Sequence, residues 1–503
     1  IDPGACLTVE SAGTLDVDDL IIINSTGLSN TGSLINRGTV TATVLFNRFL
    51  RAEDNMGSRH FFSSPVSGMT ISSFFSENIN LGELWEWDET DASWPHVVSG
   101  ELLSGKGYNL AQTTGSLGEY SFIGSVASSA SFIATAPYLS THISRTSSFD
   151  YGYLNPNPIW ADDRSWENYG GGGWNLMGNP FTSAMSASAF ITANNGLFDP
   201  NYKALYVYDG ENDVYQYAAA SVPGYPQSGD FGNFVQAGQG FFVLALYNGA
   251  TFTFNSSIQV HQPTVAMLKS TTTSDDPWPG LQLRLQYGEK ERETTIVFND
   301  AMTTGSDPGY DIGLFSTNPD VEIYTALAAG DNSVNFARQA LPATVAENFV
   351  IPVGIDTKNG GEVIFSAYTV PLGTKKFWLE DRVAGVFTDL MTKSYTVTLP
   401  ANTFGTGRFF ILASANTPTG IDDPDALIPD LRIWTSAGNI IVKGDLSEKS
   451  FCQIYDIQGK IVFESPLHDG EINIIEMPGN YHGVYIVKVV DGIKVVTQKV
   501  ALL

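Results

Sequence analysis

The residues of this sequence that most resemble a catalytic site are a group of acids around the first aromatic segment. Its members are Glu83, Glu86, Asp88, Glu89 and Asp91. Paired carboxylic acids hydrolyse glycosides when one protonates the leaving group and the other acts as base or nucleophile. Trp85 and Trp87 alternate with these acids, however, which is typical of a β-hairpin with a charged, solvated tip. We therefore expect exposed hairpin carboxylates and a protein that is not an enzyme.

Tryptophans are concentrated in the same part of the chain and indicate a second kind of chemistry. Six of the nine lie between residues 85 and 174, and a flat exposed ring can stack on the face of a sugar. Trp85 and Trp87 share one face of a strand, so we interpret them as core positions. Trp94, where the hairpin returns, is the candidate for exposure and for contact with a surface glycan.

The residue pattern gives little indication of a metal site or a phosphate-binding site. The six histidines show no H-x-x-x-H spacing, neither cysteine lies near a histidine, and neither a G-x-S-x-G elbow nor a phosphate loop occurs. Acidic turns at residues 209–213 and 422–425 offer oxygen ligands for calcium, but they lack the twelve-residue helix-loop-helix pattern. We expect no cofactor, with structural calcium as the alternative.

The composition is that of a turn-rich β protein. The 503 residues have a formal net charge of −27, 16% of them are charged and 12% are aromatic. The negative charge disfavours nucleic acid and anionic membrane surfaces as partners. The two cysteines, Cys6 and Cys452, exclude a disulfide framework, and we expect both to be buried. No apolar run approaches the ~18 residues of a membrane helix.

The first 46 residues contain short alternating strands separated by glycine. These strands lie at residues 13–17, 32–36 and 38–42, as in the last turns of a parallel β-solenoid. About two turns cannot bury their faces alone, because such folds usually need at least three. We assign residues 1–46 to a solenoid-like stub and expect either further turns before Ile1 or a following domain that caps it.

An internal repeat occupies the middle of the chain. The matching segments are RHFFSSP at 59–65 with WNLMGNP at 174–180, LWEWD at 84–88 with LYVYD at 205–209, and GKGYNL at 105–110 with GQGFFV at 238–243. Trp94 matches Tyr215. We assign the first copy to residues 47–134, and linker strands with the second copy to residues 135–269. Each copy is predicted as a strand, a proline turn, a Ser-rich connector, an aromatic hairpin and two further strands.

Two further β regions follow the repeat. Residues 277–416 are predicted as a β-sandwich, and residues 430–503 as a smaller sandwich of roughly seven strands. In the smaller one, apolar runs flank the Gly459-Lys460 turn. Asp491-Gly492 joins two runs of β-forming residues as a hairpin turn, because the favoured two-residue turns need positive φ.

The final segment resembles the type A C-terminal sorting domain of type IX secretion, the route by which Bacteroidota export proteins across the outer membrane. The shared features are a D-x-x-G-[KRQ] turn, a G-x-Y-x-V-K-V strand and a K-V-[IVL] end. The matching residues are Asp456, Gly459, Lys460, Gly483, Tyr485, Lys488 and Lys499. The Pro-Asn-Pro common at the start of such domains is missing. The resemblance implies docking on the type IX translocon and on an outer-membrane shuttle.

The two repeat copies also resemble a repeat of large Bacteroidota surface proteins, in which W-N-L-[IV]-G-N-P precedes an aromatic hairpin and G-x-G-[FY]. We predict an all-β, multidomain protein with a solenoid-like stub, tandem β-sandwich domains and a small C-terminal β-sandwich. Our hypothesis is a non-catalytic secreted or cell-surface structural or adhesive protein, such as part of a larger adhesin or a fibre subunit that forms homo-oligomers or filaments. The alternatives are a carbohydrate-binding accessory protein and the C-terminal region of a secreted hydrolase.

Overall fold

The computed structural model describes most of the chain. The described residues are 1–26, 30–50, 60–78, 81–89, 93–112, 118–136, 173–209, 214–220, 233–262, 278–316, 320–327, 334–343, 350–414, 431–436, 439–444, 446, 450–456, 460–468, 472–476, 483–491 and 494–502.

The chain forms two units, each with its own core. The first consists of Ile1–Arg382 and Thr388–Asn416, and the second of Val383–Phe387 and Thr417–Leu503. Within the described ranges the elements are β-strands, two short α-helices and short 3-10 helices, which confirms the predicted all-β, multidomain fold class. No helix in the part of the chain just defined is long and apolar enough to span a membrane.

Two parallel strand pairs build the N-terminal region. Its strands are β1 (Cys6–Val9), β2 (Thr14–Ile23), β3 (Ser33–Asn36) and β4 (Thr39–Leu50). β3 pairs in parallel with β1, and β4 in parallel with β2, which is the coil-on-coil pairing of a solenoid. The prediction of a buried Cys6 is wrong, because this end of β1 is exposed.

The first repeat copy follows. Its elements are β5 (His60–Phe62), α1 (Ile71–Glu77), β6 (Leu81–Trp85), β7 (Tyr108–Gln112) and β8 (Gly118–Ser125). β7 lies between β5 and β6, whereas β8 pairs antiparallel with β4. The closing strand of the first copy therefore covers the downstream edge of the solenoid-like sheet.

The second copy has the same plan. Its elements are β9 (Ala130–Ile133), β10 (Trp174–Gly178), β11 (Ala184–Ser186), α2 (Ala187–Ala193), a 3-10 helix (Pro200–Tyr202), β12 (Leu205–Asp209), β13 (Val214–Ala218), β14 (Phe234–Val235), β15 (Gly240–Leu244), β16 (Thr251–Phe254), a 3-10 helix (Ser256–Ile258) and β17 (Gln259–Val260). β15 lies between β10 and β12, and β16 pairs with β9 as β8 pairs with β4. By this pairing β9 groups with the second copy, whereas the predicted first copy extended to residue 134.

Each copy contains a seven-residue helix where the sequence predicted only a Ser-rich connector. The side-chain oxygens of Thr70 and Ser186 cap α1 and α2 by accepting backbone N–H groups of the first turn. At the other end, Asn78 and Asn194 each donate to the last helical turn and bond to the closing strand. Because the four residues have equivalent roles, the helices belong to the repeated unit.

The two copies contact each other reciprocally, as subunits do across a two-fold axis. The Ser63 N–H donates to the Gly238 carbonyl at 3.0 Å, and in the equivalent contact the Gly178 N–H donates to the Gly105 carbonyl at 3.1 Å. Ser63 and Gly178 are themselves equivalent and face each other. A Cβ atom on Gly178 would lie 2.1 Å from the Ser63 Cβ, so the centre of the contact has room for one Cβ.

The second glycine of each G-x-G motif lies at the same crossing. A Cβ atom on Gly107 would lie 2.5 Å from the Met177 carbonyl oxygen, and one on Gly240 would lie 2.8 Å from the carbonyl carbon of Phe61. The motif glycines therefore let the backbone of one copy approach that of the other, a role that only a residue without a side chain can fill.

An eleven-stranded sheet follows the repeat copies along the chain. Its strands are β18 (Gly280–Tyr287), β19 (Lys290–Phe298), β20 (Ile312–Gly313), β21 (Val321–Thr325), β22 (Phe336–Leu341), β23 (Val350–Thr357), β24 (Gly361–Val370), β25 (Lys376–Asp381), β26 (Val386–Asp389), β27 (Tyr395–Leu399) and β28 (Phe409–Ser414). Tyr395 near one end of the sheet donates to Asp381 near the other at 2.9 Å. The sheet therefore curls around a single core.

The second unit is a sandwich of two sheets. Its strands are β29 (Arg432–Ser436), β30 (Asn439–Lys443), β31 (Phe451–Tyr455), β32 (Ile461–Pro466), β33 (Asn473–Ile475), β34 (Gly483–Asp491) and β35 (Lys494–Leu502). One sheet has the order β29-β30-β33 and the other β32-β31-β34-β35. Apolar residues of both sheets enclose the core, which includes the fully buried Cys452. The small C-terminal β-sandwich agrees with the prediction.

Candidate functional site

Trp94 lies in an aromatic cluster between the two repeat copies. Its ring stacks on Phe61 at a centroid distance of 5.6 Å and packs 5.2 Å from Trp87. The bridges Trp85–His96 and Asp88–Ser93 set a register in which Trp87 lies opposite Trp94, as Tyr208 lies opposite Tyr215 in the second copy. Trp94 is half-buried, so part of it is available to a glycan, but its main contacts are with the protein.

The acidic residues of the first hairpin have separate surroundings. Glu83 is exposed and Glu86 pairs with Lys106, whereas Asp91 lies outside the described residues. The expectation of an exposed carboxylate is wrong for Glu89, which is 2% exposed. Glu89 accepts hydrogen bonds from the Trp87 indole and from the Gly173 N–H. It therefore links the first hairpin to the start of β10.

A cavity of about 290 Å³ lies where the second copy meets the eleven-stranded sheet. The β12–β13 hairpin contributes Asp209 and Gln216, β19 contributes Arg292, and β21 contributes Glu322. These four polar side chains belong to residues that are at most 9% exposed. The segment after β20 and the start of β13 supply an apolar wall, which includes Leu314 and Val214.

Carboxylates outnumber cations in this cavity. Asp209, Glu289, Glu291, Glu293 and Glu322 line it together with a single guanidinium, that of Arg292. Glu322 accepts a hydrogen bond from the Ser316 hydroxyl at 2.8 Å and one from the Ile323 N–H at 3.3 Å. The cavity thus combines a negative electrostatic environment with one buried positive charge.

Burial raises the pKa of Glu322 from 4.5 to about 7, although the Ser316 hydroxyl and the Arg292 guanidinium oppose this rise. A carboxyl group with a raised folded-state pKa contributes stability that is complete below its unfolded pKa and is lost as the pH rises through the folded pKa. Because of Glu322, the free energy of unfolding of the wild-type chain should therefore decrease between about pH 4.5 and pH 7.

Glu322→Gln should remove this loss. We expect the variant to be more stable than the wild type by up to about 3 kcal/mol at pH 8, and the gain to shrink toward pH 5. Urea unfolding at pH 5, 6, 7 and 8 measures the difference. The control is Glu362→Gln, an exposed residue on β24. Parallel pH profiles for wild type and Glu322→Gln would contradict the assignment.

The candidate calcium turns lie largely outside the described residues. Asp209 is described and accepts a hydrogen bond from the Gln216 amide at 3.0 Å, whereas 210–213 and 422–425 are not described. Within the described ranges, no group of three or more His, Cys, Asp or Glu side chains is arranged to hold a metal ion.

The sorting-domain residues lie on one turn and one hairpin of the second unit. The Asp456 carboxylate accepts the Lys460 N–H at 2.9 Å and closes the β31–β32 turn, while Gly459 lies outside the described residues. Gly483 opens β34 with a φ of 129°, a conformation that favours glycine. Tyr485 is buried in the core opposite Val500.

Two of the three lysines of the signature, Lys488 and Lys499, lie on the β34–β35 hairpin. Lys488 on β34 is half-buried and pairs with Gln453 and Thr497 on the neighbouring strands. Lys499 on β35 lies opposite Ile486. The signature residues that the structure describes therefore lie on a turn and on the β34–β35 hairpin, and they do not converge on one pocket.

A comparison with protein families gives a match that covers most of the first unit. Residues 1–412 match the model of a family described as "Domain of unknown function (DUF8693)", and the chain belongs to this family. The match ends within β28, before Thr417, where the second unit resumes. Among curated proteins, no match was found.

Sequence reasoning missed the cavity. Its polar residues come from three separate segments of the chain, so no local motif marks it. The only local signal is the K-E-R-E run at 290–293, in which one arginine stands among acids on a strand.

Proposed function

We propose that this protein is a non-catalytic structural or adhesive protein of the cell surface or the secreted fraction, exported by type IX secretion through its C-terminal unit. The single observation that carries the proposal is the separate seven-strand sandwich that contains the sorting-domain residues. The family match to residues 1–412 ends before this sandwich, which is consistent with an export module added to a different body.

The packing of the first unit supports a structural or adhesive role. Parallel coils, two reciprocally packed repeat copies and a curled sheet share one unit, and buried aromatic residues of the repeat and the sheet form a common cluster. Such a body suits surface presentation, because its repeated elements stiffen one another. Partners of this kind of protein would be the translocon and shuttle during export, and a glycan or further copies of the chain afterwards.

Deletion of the C-terminal unit tests the export route. The full chain, with a signal peptide before Ile1 and an N-terminal epitope tag, would be compared in a Bacteroidota host with a chain ending at residue 429. We expect the full chain at the surface or in the medium and the shortened chain in the periplasm, where protease resistance shows that it has folded. Surface labelling and fractionation provide the measurement.

Point variants refine the same test. Asp456→Ala should reduce export, because the carboxylate that closes the β31–β32 turn is lost. The control is Asp18→Ala, an exposed acidic residue on β2. Equal export of the full and shortened chains would sink the proposal.

A further inference from the structure

The cavity between the second repeat copy and the eleven-stranded sheet contains polar atoms that lack partners. Arg292 is 4% exposed, and its Nη1 donates to the Glu291 carbonyl at 3.1 Å. Its Nε and Nη2 atoms are buried without an acceptor. Leaving donors of a buried charged group unpaired is costly, because the hydrogen bonds that these donors made to water in the unfolded chain are not replaced. An acceptor supplied by a ligand would remove this cost.

An acceptor in the same cavity is also without a partner. Gln216 is 7% exposed and uses its Nε2 to donate to Asp209 at 3.0 Å. Its Oε1 is buried and accepts no hydrogen bond. The cavity therefore combines unused donors on Arg292 with an unused acceptor on Gln216.

The unpaired donors of Arg292 and the unpaired acceptor of Gln216 indicate which class of ligand the cavity would bind. An anion would satisfy Arg292 but would be repelled by the five carboxylates and would offer no donor to Gln216. A cation would suit the carboxylates but would be repelled by Arg292. A neutral hydroxyl group both accepts and donates, so a ligand with several hydroxyl groups satisfies both residues at once.

The apolar wall and the volume of the cavity indicate which kind of hydroxyl-bearing ligand fits. Val214 and Leu314 offer contact to C–H groups, and a sugar ring presents such groups between its hydroxyls. The volume of about 290 Å³ is at the lower end of ligand pockets, about 300–1,000 Å³. That volume fits a single sugar residue better than a long oligosaccharide.

We propose that this cavity binds one neutral sugar residue, whose hydroxyl groups accept from Arg292 and donate to Gln216 and the neighbouring carboxylates. Glu322, half-protonated near neutral pH because burial raises its pKa to about 7, can serve as donor or acceptor to the same ring. The proposal goes beyond the export route and does not depend on it.

The test uses the purified full-length chain and defined probes. These are the methyl glycosides of glucose, galactose, mannose and N-acetylglucosamine, with glucuronate and spermidine as charged probes. Saturation-transfer NMR detects binding, and calorimetric titration gives the affinity. We expect at least one neutral glycoside to bind saturably and both charged probes to fail.

Variants locate the site. Arg292→Met should weaken binding of the neutral glycoside about 10- to 100-fold, as expected for a lost hydrogen bond to a charged group. Gln216→Met, a second variant in case the first does not fold, should also weaken it. The control is Arg37→Met, because the Arg37 guanidinium pairs with Glu10 at 3.5 Å and neither residue lines the cavity.

The control should bind as the wild type does. The proposal is overturned if no neutral glycoside binds, if only a charged probe binds, or if folded Arg292→Met and Gln216→Met retain wild-type affinity. Because binding is measured on purified protein, its failure would leave the export proposal untouched, and failure of export would leave this one untouched.

Discussion

Gly178→Ala is expected to destabilise the first unit by about 2–3 kcal/mol, near the upper end of overpacking in a well-packed interior. The added Cβ would lie 2.1 Å from the Ser63 Cβ and 3.2 Å from the Gln239 carbonyl oxygen. Both neighbours belong to the crossing between the repeat copies, where backbone hydrogen bonds on either side prevent the strands from separating. Urea unfolding followed by tryptophan fluorescence gives the change in the free energy of unfolding.

Ser63→Gly in the same chain should restore most of this loss. The substitution removes the opposing Cβ, and it also removes a buried hydroxyl that has no hydrogen-bond partner. The control is Gly196→Ala, because a Cβ there would meet no atom within 4 Å. If the effects of Gly178→Ala and Ser63→Gly simply add, without rescue, the reciprocal packing of the two copies is wrong.

Arg408→Met is expected to cost about 3–5 kcal/mol, because it leaves the buried Asp381 carboxylate without its cation. Arg408 Nε and Nη2 donate to the two Asp381 oxygens at 3.0 and 2.8 Å, and the Asp381 side chain is 1% exposed. Tyr395 also donates to Asp381, and burial together with this bond raises the pKa of Tyr395 to about 12. The three residues join both ends of the curled sheet.

A surface ion pair in the same sheet provides the matched control. Lys290 and Asp320 pair at 2.5 Å, but their side chains are 48% and 51% exposed. Lys290→Met should therefore cost less than about 1 kcal/mol. Thermal and urea unfolding of both variants measure the difference. Similar losses in the two variants would show that the Asp381–Arg408 pair does not hold the sheet closed.

The repeat could be predicted from sequence because its residues have fixed structural tasks. The Trp87–Trp94 and Tyr208–Tyr215 pairs occupy equivalent cross-strand positions, so any large aromatic residue serves and the spacing is retained. The motif glycines at 107 and 240 are needed for close backbone approach, so the G-x-G pattern persists. The parallel pairing of the N-terminal strands was predicted for a similar reason, since coil stacking imposes a period.

The two helices could have been predicted but were not. Thr70 and Ser186 are N-cap residues, and apolar residues follow at helical spacing, as Ile71 and Phe74 do in α1. A run of two helical turns amid serine residues gives a weak periodic signal. Helix formation there depends on packing against the closing strand through Asn78 and Asn194 more than on local propensity.

The candidate ligand site could not be predicted, because it is assembled by tertiary contacts. Gln216 and Arg292 carry no recognisable motif, and their importance lies in the buried atoms that remain unpaired after the second copy packs on the sheet. Glu89 illustrates the same limit, since only the folded chain reveals that this hairpin acid bonds to Gly173 rather than to water.

Export is the central claim, and localisation of the full chain in two host strains tests it most directly. One Bacteroidota strain would have an intact type IX system and the other a disabled translocon, with the same tagged chain in both. The account predicts chain at the surface or in the medium of the first strain and accumulation in the periplasm of the second. The same distribution in both strains would contradict it.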